Sequence, residues 1–588
     1  MGRVQLLNSM ISSMLTYSFQ IYKWPASLLQ EVAKHMKNFL WSGNIEERKL
    51  CTVAWSNICK PLHEGGLSVK DPAKVNQASM LFLTWKLINS DEQWARIGRQ
   101  RYLNKGQPKA HYLTSSTWPG MKQHIQMVLN HSTWAVGNGK CIQFWTDKWM
   151  DRSIAFHWNL PASLTSALSL KVADCIVDGN WCIPAYVVHR DPALASQIHK
   201  ITLLVDDIPD RLCWSSANDG ELTNKIAYRT LNGTGQSVPW AKLIWTPFIP
   251  PSRSFITWRL IHNKLPTDDN LRKRGCYIVS ICCFCMQNAE SSSHIFFACP
   301  VTMALLDWLS KGTGAALDCS SCLHLISGTV ASGGKMVHQI LTSAISHTIW
   351  TIWIERNQRY FHDKRQAMSS LFNSILAEVK LSHSLNLVKG NSTMIDYKVA
   401  KLFNIPFKIK NMVPSRNISW KPPPTGVVKF NCDGSSVGPN PCGSIGVVIR
   451  DSNANFLGAL ASNVGYASPL ESEFSAIMSA IEKAQAMHLH KVCLESDSMG
   501  VVNAYNKDVG VPWQMRARWH NCMRFCKSIT CTLIHTLREG NMVADVLAKH
   551  GQGLSLYSTQ WWSTPPTFIT SLLLRDQLGL PFYRLDMA

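Results

Sequence analysis

The sequence of 588 residues has no uninterrupted apolar run of the length that a transmembrane helix requires. Crossing a bilayer takes about 20 consecutive apolar residues, and the best candidate, ILTSAISHTIWTIWI at 340–354, is broken by Ser, Thr and His. The N-terminal residues MGRVQLLNSM also lack the apolar region and cleavage site of a secretory signal peptide. These absences argue against a membrane partner, and they predict an intracellular protein, nuclear or cytoplasmic, rather than a secreted one.

Internal repeats and long low-complexity tracts are absent as well. The 19 cysteines are spread over a long chain without a secretory signal, so they favour reduced thiols and a metal cluster over a disulfide framework. With 46% apolar residues, the chain is long enough for several cores, roughly three or four domains.

Acidic residues are outnumbered, with 38 Asp and Glu against 59 Lys and Arg and a net charge of +21. Residues 421–551 hold 12 basic and 10 acidic residues, whereas residues 1–420 hold 45 and 26 and carry a net charge of +19. The long N-terminal part is therefore the candidate surface for nucleic acid. The alternative is basic charge scattered over solvated helix faces.

Three consecutive prolines in VPSRNISWKPPPTG (413–426) mark the clearest boundary, because they favour an extended linker. Before the linker, helical periodicity dominates, as in residues 27–41 and 336–361. After it, GVVKFNCD, GSIGVVIRD and ANFLGALAS predict an antiparallel meander, followed by a helix, two further strands and a last helix that Asn541 could cap. The fold class predicted is multidomain α+β, with a mostly helical N-terminal half and a C-terminal α/β domain.

Four acids occupy particular points of this C-terminal pattern. Asp433 ends the first strand, Glu473 lies in the first helix, Asp497 ends the fourth strand and Asp545 lies in the last helix. Singly, each has a simple structural explanation: a turn, a helix cap or an acid in a first helical turn. Converging carboxylates would repel one another unless cations lay between them, and an all-oxygen ligand set suits Mg²⁺ or Mn²⁺.

FNCDGS, ESEFSAI, ESDS and NMVADVLAKHG resemble the four motifs of the ribonuclease H type 1 domain, in the form common in plant LINE-type (non-LTR) retroelement proteins. The resemblance covers residues 426–551 and implies a mixed five-stranded sheet. It also implies that Asp433, Glu473, Asp497 and Asp545 are catalytic ligands of two Mg²⁺ ions, with which the RNA strand of an RNA–DNA hybrid is cut.

Three further residues qualify this resemblance. His535 falls where the family has a mobile-loop histidine that assists proton transfer or product release; an ordinary half-exposed strand histidine is the alternative. Glu473 is preferred over Glu471 because small alanines continue its face at helical spacing. Cys432 departs from the motif, in which a small hydroxyl residue is usual.

A second cluster contains Cys282, Cys285, His294 and Cys299, a sufficient set for tetrahedral structural zinc. Cys276 and Cys283 are near enough in sequence to compete as ligands, and a chance group of buried cysteines is the alternative. Together with PSRSFITWRLIHNKLPTDDNLRKRG, the cluster resembles the zinc-binding domain downstream of reverse transcriptase in the same elements, over residues 214–310.

The N-terminal stretch GRVQLLNSMISSMLTYSFQIYKWP resembles the region that follows the reverse transcriptase palm, so residues 1–110 are expected to be a remnant of that region. A connecting segment (111–213) follows, and its GNGK lacks the spacing of a phosphate-binding loop. LVDD (204–207) is not the paired-aspartate hairpin of a polymerase, because no strand–turn–strand pattern surrounds it. The remaining units are a helical connector (311–412), the Pro-rich linker (413–425) and a C-terminal tail (552–588).

The predicted function is an endonuclease that hydrolyses the RNA strand of RNA–DNA hybrids, within a retroelement-derived protein whose partner is nucleic acid. The alternative is a catalytically inactive nucleic-acid-binding remnant. The sequence makes no prediction of oligomeric state.

Overall fold

A computed structural model describes residues 2–49, 52–104, 106–109, 115–165, 167–233, 235–329, 334–384, 388–390, 394–409, 416–438, 441–507 and 510–584. Residues 413–415 of the predicted Pro-rich linker lie outside these ranges. Within them, none of the helices combines the length and the apolarity that a bilayer crossing demands.

Helices dominate the N-terminal half. Residues 2–131 contain α1 (Gly2–Leu6), α2 (Ser12–Phe19), α3 (Ala26–Ser42), α4 (Trp55–Ile58), α5 (Pro72–Asn89), α6 (Gln93–Tyr102), β1 (Leu103–Asn104), β2 (Gln107–Pro108), α7 (Trp118–Lys122) and α8 (Ile125–His131). Residues 224–409 contain α13 (Asn224–Asn232), α14 (Ala241–Ile244), α15 (Pro251–Ile261), α16 (Asp268–Arg272), α17 (Pro300–Thr313), α18 (Cys322–Ser327), α19 (Lys335–His362), α20 (Met368–Ser384), β7 (Val388–Gly390), α21 (Met394–Leu402) and β8 (Phe407–Ile409). The predicted helices at 27–41 and 336–361 are thus α3 and α19.

The centre of this half is α19, which is apolar on nearly all sides. Because Ile340, Leu341, Ala344 and Ile345 are all fully buried, other helices must surround it. The apolar core around it includes residues of α1 and α3, of the stretch 244–326, and of α20 and α21. The regions expected as polymerase-proximal remnant, zinc-binding domain and helical connector therefore share one core.

The connecting segment has a small core of its own. After α7 and α8, the elements of this segment are β3 (Ser132–Ala135), α9 (Ile154–His157), α10 (Ala162–Thr165), β4 (Ile176–Val177), β5 (Asn180–Trp181), α11 (Ala185–Arg190), α12 (Pro192–His199) and β6 (Arg211–Trp214). In its GNGK loop, the amides of Gly137, Gly139 and Cys141 each donate to the carboxylate of Asp210 over 2.8 Å. The Asp210 carboxylate thus accepts from the backbone amides that could otherwise bind an anion, in line with the prediction that this loop is not a phosphate-binding loop.

The C-terminal part alternates strands and helices. Its elements are β9 (Arg416–Ile418), β10 (Val428–Val437), β11 (Cys442–Arg450), β12 (Phe456–Tyr466), α22 (Pro469–Ala486), β13 (Lys491–Ser496), α23 (Met499–Lys507), α24 (Arg516–Ser528), β14 (Thr530–His535), α25 (Met542–Gly551), β15 (Thr559–Trp562), α26 (Thr567–Gln577) and β16 (Phe582–Arg584).

The main sheet is mixed and has six strands in the order β14-β13-β10-β11-β12-β15. Strands β10, β13 and β14 run parallel, whereas β10, β11, β12 and β15 are joined antiparallel. The five-stranded prediction was wrong by one strand, because β15 comes from the predicted tail and pairs with β12.

The predicted tail also covers the second face of the sheet. One face packs on α22, α23 and α24, and the other packs on α25 and on Ile569 of α26. The buried guanidinium of Arg450 in β11 pairs with Asp576 of α26, with 2.6 Å between Nη1 and Oδ2. Because an unpaired buried charge is costly, removing the tail would destabilise the sheet.

Candidate metal centres

Adjacent parallel strands place the first two acids side by side. In the register of β10 and β13, Cys432 lies opposite Ser496. Asp433 is the next residue of β10, which continues to Val437 instead of ending at Asp433 as predicted, and Asp497 directly follows the end of β13, so the two acids lie side by side.

The N-terminus of α22 delivers the third acid. Ser468 caps the helix in a capping box with Glu471, whose Oε2 accepts from the Ser468 amide over 2.7 Å. Glu471 is therefore occupied by the helix end, and Glu473 is the one that lies beside the sheet. The close approach depends on Gly434, where a Cβ would lie 2.3 Å from the backbone nitrogen of Glu473.

Asp433, Glu473 and Asp497 each bring a carboxylate oxygen within 4.8 Å of the others. Burial, followed by the charges of Asp497 and Asp545, raises the pKa of Asp433 to about 8. Burial and the charges of Asp433 and Asp497 raise the pKa of Glu473 to about 9, and its buried Oε2 has no hydrogen-bond partner among the residues that the structure describes. Such a set is stable when ionised only if a cation neutralises it, and its all-oxygen chemistry fits Mg²⁺ or Mn²⁺.

The fourth acid, Asp545, is nearby but outside this closest group. Its helix, α25, packs tightly on β11 at Gly446, where a Cβ would meet the amide nitrogen of Ala548 at 2.3 Å. The buried Asp545 carboxylate accepts from Arg538 over 2.6 Å and from Lys549 over 2.5 Å. Asp545 is therefore neutralised by these two basic residues, which the sequence interpretation missed, although the i,i+4 spacing of Lys549 was a signal for one of them.

The remaining predicted residues lie around this edge of the sheet. His535 ends β14 instead of lying in the expected loop, and its Nε2 is 3.2 Å from the carbonyl oxygen of Asp497. The side chain of Asn541 does not cap α25 and instead donates to the carbonyl of Cys432 over 2.8 Å. Cys432 itself is fully buried in the apolar core that packs on α22. A thiol in place of a hydroxyl therefore suits its surroundings.

Without divalent cations, we expect the thermal stability of the protein to fall as the pH rises from about 4 toward 9. The folded state keeps protons on Asp433 to about pH 8 and on Glu473 to about pH 9, whereas the unfolded chain releases them near pH 4. The stabilisation is complete below the unfolded pKa and is lost through the folded pKa, at up to about 1.4 kcal/mol per pH unit for each group.

Thermal melts across this pH range, in buffer without Mg²⁺, measure the effect. The variant Glu473→Gln should show a shallower decline than the wild type, and added Mg²⁺ should flatten the wild-type curve. Identical pH dependence in the two proteins would contradict the assignment of Glu473 to a crowded carboxylate cluster.

The second centre is built on a tight turn and a helix N-terminus. The turn is closed by a hydrogen bond from the Cys282 amide to the carbonyl of Asn288 over 2.7 Å. Cys299 is the N-cap residue of α17, and His294 begins the π-helical turn before it. The Cys282, Cys285, His294 and Cys299 ligand atoms all lie within 4.8 Å of one another, which fits one tetrahedral zinc ion.

Local hydrogen bonds favour a thiolate in this cluster. Burial acts to raise the pKa of Cys285, but the amides of Gln287 and Asn288 and the imidazole of His294 outweigh it and lower this pKa to about 6. The distance from Cys285 Sγ to His294 Nε2 is 3.3 Å. Cys276 is exposed and Cys283 bonds to the carbonyl of Arg356, so neither competitor joins the cluster.

A buried ion pair fixes the cysteine-rich turn to the core. Arg356 of α19 donates to both carboxylate oxygens of Glu290, over 2.6 Å and 3.1 Å, and both side chains are almost fully buried. The amide of Asp268, at the start of α16, also donates to Glu290. This network connects the turn to the central helix, and no sequence pattern indicated that Arg356 would reach it.

The structure thus combines a mixed sheet with an acid cluster at its edge and, earlier in the chain, a Cys₃His cluster, which are the two features on which the sequence resemblance rests. Residues 223–305 match the family described as zinc-binding in reverse transcriptase, and residues 431–551 match the family described as reverse transcriptase-like. The two matched segments follow one another in the order that the sequence resemblance predicted.

Relatives match over different extents. An Arabidopsis thaliana protein named "Putative ribonuclease H protein" is 24% identical over 617 residues, covering 98% of this chain and 93% of that protein. Ribonuclease H1 of Halobacterium salinarum is 22% identical, with 21% of this chain and 97% of that chain covered and a TM-score of 0.20. LC11-RNase H1, solved in complex with an RNA/DNA hybrid, is 23% identical. That match covers 21% of this chain and 94% of the other, with a TM-score of 0.20.

Proposed function

We propose that this protein hydrolyses the RNA strand of RNA–DNA hybrids at the edge of its six-stranded sheet. The observation that carries the proposal is the convergence of Asp433, Glu473 and Asp497 within 4.8 Å, with Asp545 beside them. Raised pKa values at a carboxylate cluster are typical of functional sites.

The chain's own residues account for several parts of this chemistry. Asp433, Glu473 and Asp497 would hold two divalent cations and would release protons as the cations bind, since two of the three have raised pKa values. Bound Mg²⁺ would supply Lewis-acid stabilisation of the charge that develops on the phosphate. The half-exposed His535 lies within reach of solvent and of Asp497, where an imidazole can accept a proton.

Zinc has a separate role in the proposal. Cys282, Cys285, His294 and Cys299 would fill all its positions, which leaves none for a substrate or water. We therefore assign this ion to structure and not to catalysis.

One observation favours the alternative, a nucleic-acid-binding protein without catalytic activity. Both oxygens of Asp545 are engaged by Arg538 and Lys549, so the fourth acid is neutralised without a cation. If these ion pairs persisted with substrate bound, Asp545 would contribute no charge to a metal ion.

A substrate panel separates the two functions. The full chain, supplied with Mg²⁺, is given labelled hybrid, single-stranded RNA, double-stranded RNA and double-stranded DNA. Hydrolysis confined to the RNA of the hybrid supports the proposal, since ribose 2′-hydroxyls distinguish RNA from DNA. Binding of the hybrid without hydrolysis favours the alternative.

We expect the full chain to bind a hybrid more tightly than residues 416–584 at low salt, and to lose affinity more steeply as salt rises. Residues 1–415 carry a net charge of +18 against +4 for residues 416–584, and each neutralised phosphate releases counterions. Fluorescence anisotropy across a salt series, with one labelled hybrid, measures both slopes. Equal slopes would mean that the basic half makes no phosphate contacts.

A further inference from the structure

A cleft of about 1830 Å³ lies between the connecting segment and the ribonuclease H-like domain. One wall is formed by β3, β6 and the loop 200–209, and the other by the loop 510–515 and α24. None of the four acids of the proposed active site lines it. The cleft is therefore a separate feature of how these two parts of the chain meet.

Contacts at its two ends hold the walls together. At one end, Asp206 pairs with His520 over 2.7 Å and with Arg524 over 3.0 Å. At the other, the amide of Trp513 donates to the carbonyl of Asn218 over 2.9 Å. These contacts join residues about 300 positions apart in the sequence. The cleft is therefore an interface between two distant parts of the chain and not a shallow depression within one of them.

The close approach at the second end depends on a glycine. Gly220 has a φ of +73°, and a Cβ there would lie 2.9 Å from the Cβ of Cys213 and 3.2 Å from that of Trp513. A side chain at this position would push the walls apart.

The lining combines basic and aromatic side chains. Seven Lys and Arg residues and three Asp residues line it, and six further lining residues are Trp or Tyr. Three of the arginines, Arg211, Arg518 and Arg524, are held in ion pairs with acids, which leaves Arg516 and the three lysines without an ion pair among the described residues. Both walls contribute: Lys148, Lys200 and Trp134 come from the connecting segment, and Lys527, Trp513 and Trp519 from the other wall. Trp519 is almost fully buried in the core against Phe474, whereas Trp134 and Trp513 are half-buried and Tyr557 is exposed, so these three rings are available in the cleft.

We propose that this cleft binds single-stranded nucleic acid. Basic side chains that follow a phosphate backbone, alternating with aromatic rings on which bases stack, are the common chemistry of single-strand binding. A duplex keeps its base faces stacked inside the helix, so aromatic rings recessed in a cleft can stack only on unpaired bases. The site is separate from the acid cluster and does not depend on the proposed hydrolysis.

The test compares two doubly substituted proteins, both made in the full chain with Asp497→Asn so that no cleavage occurs. One carries Lys200→Glu and Lys527→Glu, at exposed residues that line the cleft. The other carries Lys335→Glu and Lys401→Glu, at exposed residues elsewhere, and changes the net charge equally. Fluorescein-labelled oligo(dT) and oligo(rU) are the probes, and anisotropy is the readout.

The cleft protein should bind both probes at least about tenfold more weakly than its parent, with the salt slope reduced by about 1.4, or 0.7 for each lost contact. The affinity of the control protein for both probes should fall by less than about threefold, because its substituted lysines lie outside the cleft and contact no bound strand. A larger loss for oligo(rU) would identify RNA as the preferred strand, and a larger loss for oligo(dT) would identify DNA.

Crosslinking gives a second, independent readout. An oligonucleotide that carries 5-iodouridine should crosslink to peptides containing Trp134 or Trp513, the two half-buried tryptophans of the lining. Equal losses in the two substituted proteins, or crosslinks confined to other regions, would overturn the proposal and leave hydrolysis at the acid cluster unaffected.

Discussion

Replacement of Asp497 by Asn is expected to lower the rate of RNA cleavage in a hybrid by roughly a thousandfold or more, which corresponds to at least about 4 kcal/mol of lost transition-state stabilisation. Asp433, Glu473 and Asp497 form the closest group of carboxylates, within 4.8 Å of one another, so under the proposed function the charge of Asp497 helps to hold the cations. Single-turnover cleavage of a labelled hybrid, with and without the substitution, measures the effect.

The matched control is Glu471→Gln, which removes an acid two residues from Glu473 on the same helix. Glu471 accepts from the Ser468 amide in the capping box and does not belong to the cluster. We expect this variant to keep nearly all of its stability, because the Gln side-chain carbonyl can accept from the Ser468 amide as Glu471 does, and to keep its cleavage rate within a few-fold. Undiminished cleavage by Asp497→Asn, or equal losses in both variants, would refute the assignment of the acids.

Substitution of Cys285 by Ser is expected to remove the bound zinc and to unfold the cysteine-rich turn. Metal binding and folding are coupled in small sites of this type, so the loss should amount to several kcal/mol. Elemental analysis of the reduced full chain should find one zinc ion per chain in the wild type and none in the variant. Limited proteolysis should then cut within residues 276–299 of the variant alone.

Cys276→Ser is the control, since Cys276 is an exposed cysteine of the same segment outside the cluster. Zinc content and protease resistance should remain at the wild-type level. The full chain is used because the zinc-binding domain shares its core with residues before and after it, and an isolated fragment would expose that core. An absence of zinc from reduced wild-type protein would count against the site.

Local sequence patterns predicted the elements that carry the acids. Strand alternation predicted the strands that carry Asp433 and precede Asp497, but the prediction that Asp433 ends its strand was wrong, because β10 continues to Val437 in its pairing with β11. Small alanines after Glu473 indicated the helix face that approaches the sheet. The reason why Glu473 and not Glu471 lies at the site became clear only in the structure, because the capping box occupies Glu471. The side chains of Cys282, Cys285, His294 and Cys299 come together because a turn and a helix start are both local features of the chain.

Long-range pairing could not be predicted in the same way. The strand β15, with the sequence TQWW, is short and mostly exposed, so it has no alternation that distinguishes it from a tail. The partners Arg450 and Asp576 are 126 residues apart, and Asp206 and His520 are 314 residues apart. Their meeting depends on how whole elements pack, which no local period encodes.

The most direct measurement of the central claim is the chemistry of the product ends. A hybrid with 5′-labelled RNA is incubated with the full wild-type chain and Mg²⁺, and the fragments are compared with and without the metal. The proposal predicts Mg²⁺-dependent fragments with 3′-hydroxyl ends and an intact DNA strand, because the bond to the 3′-oxygen is broken. Stable binding of the hybrid with no such fragments in Mg²⁺ or Mn²⁺ would contradict it.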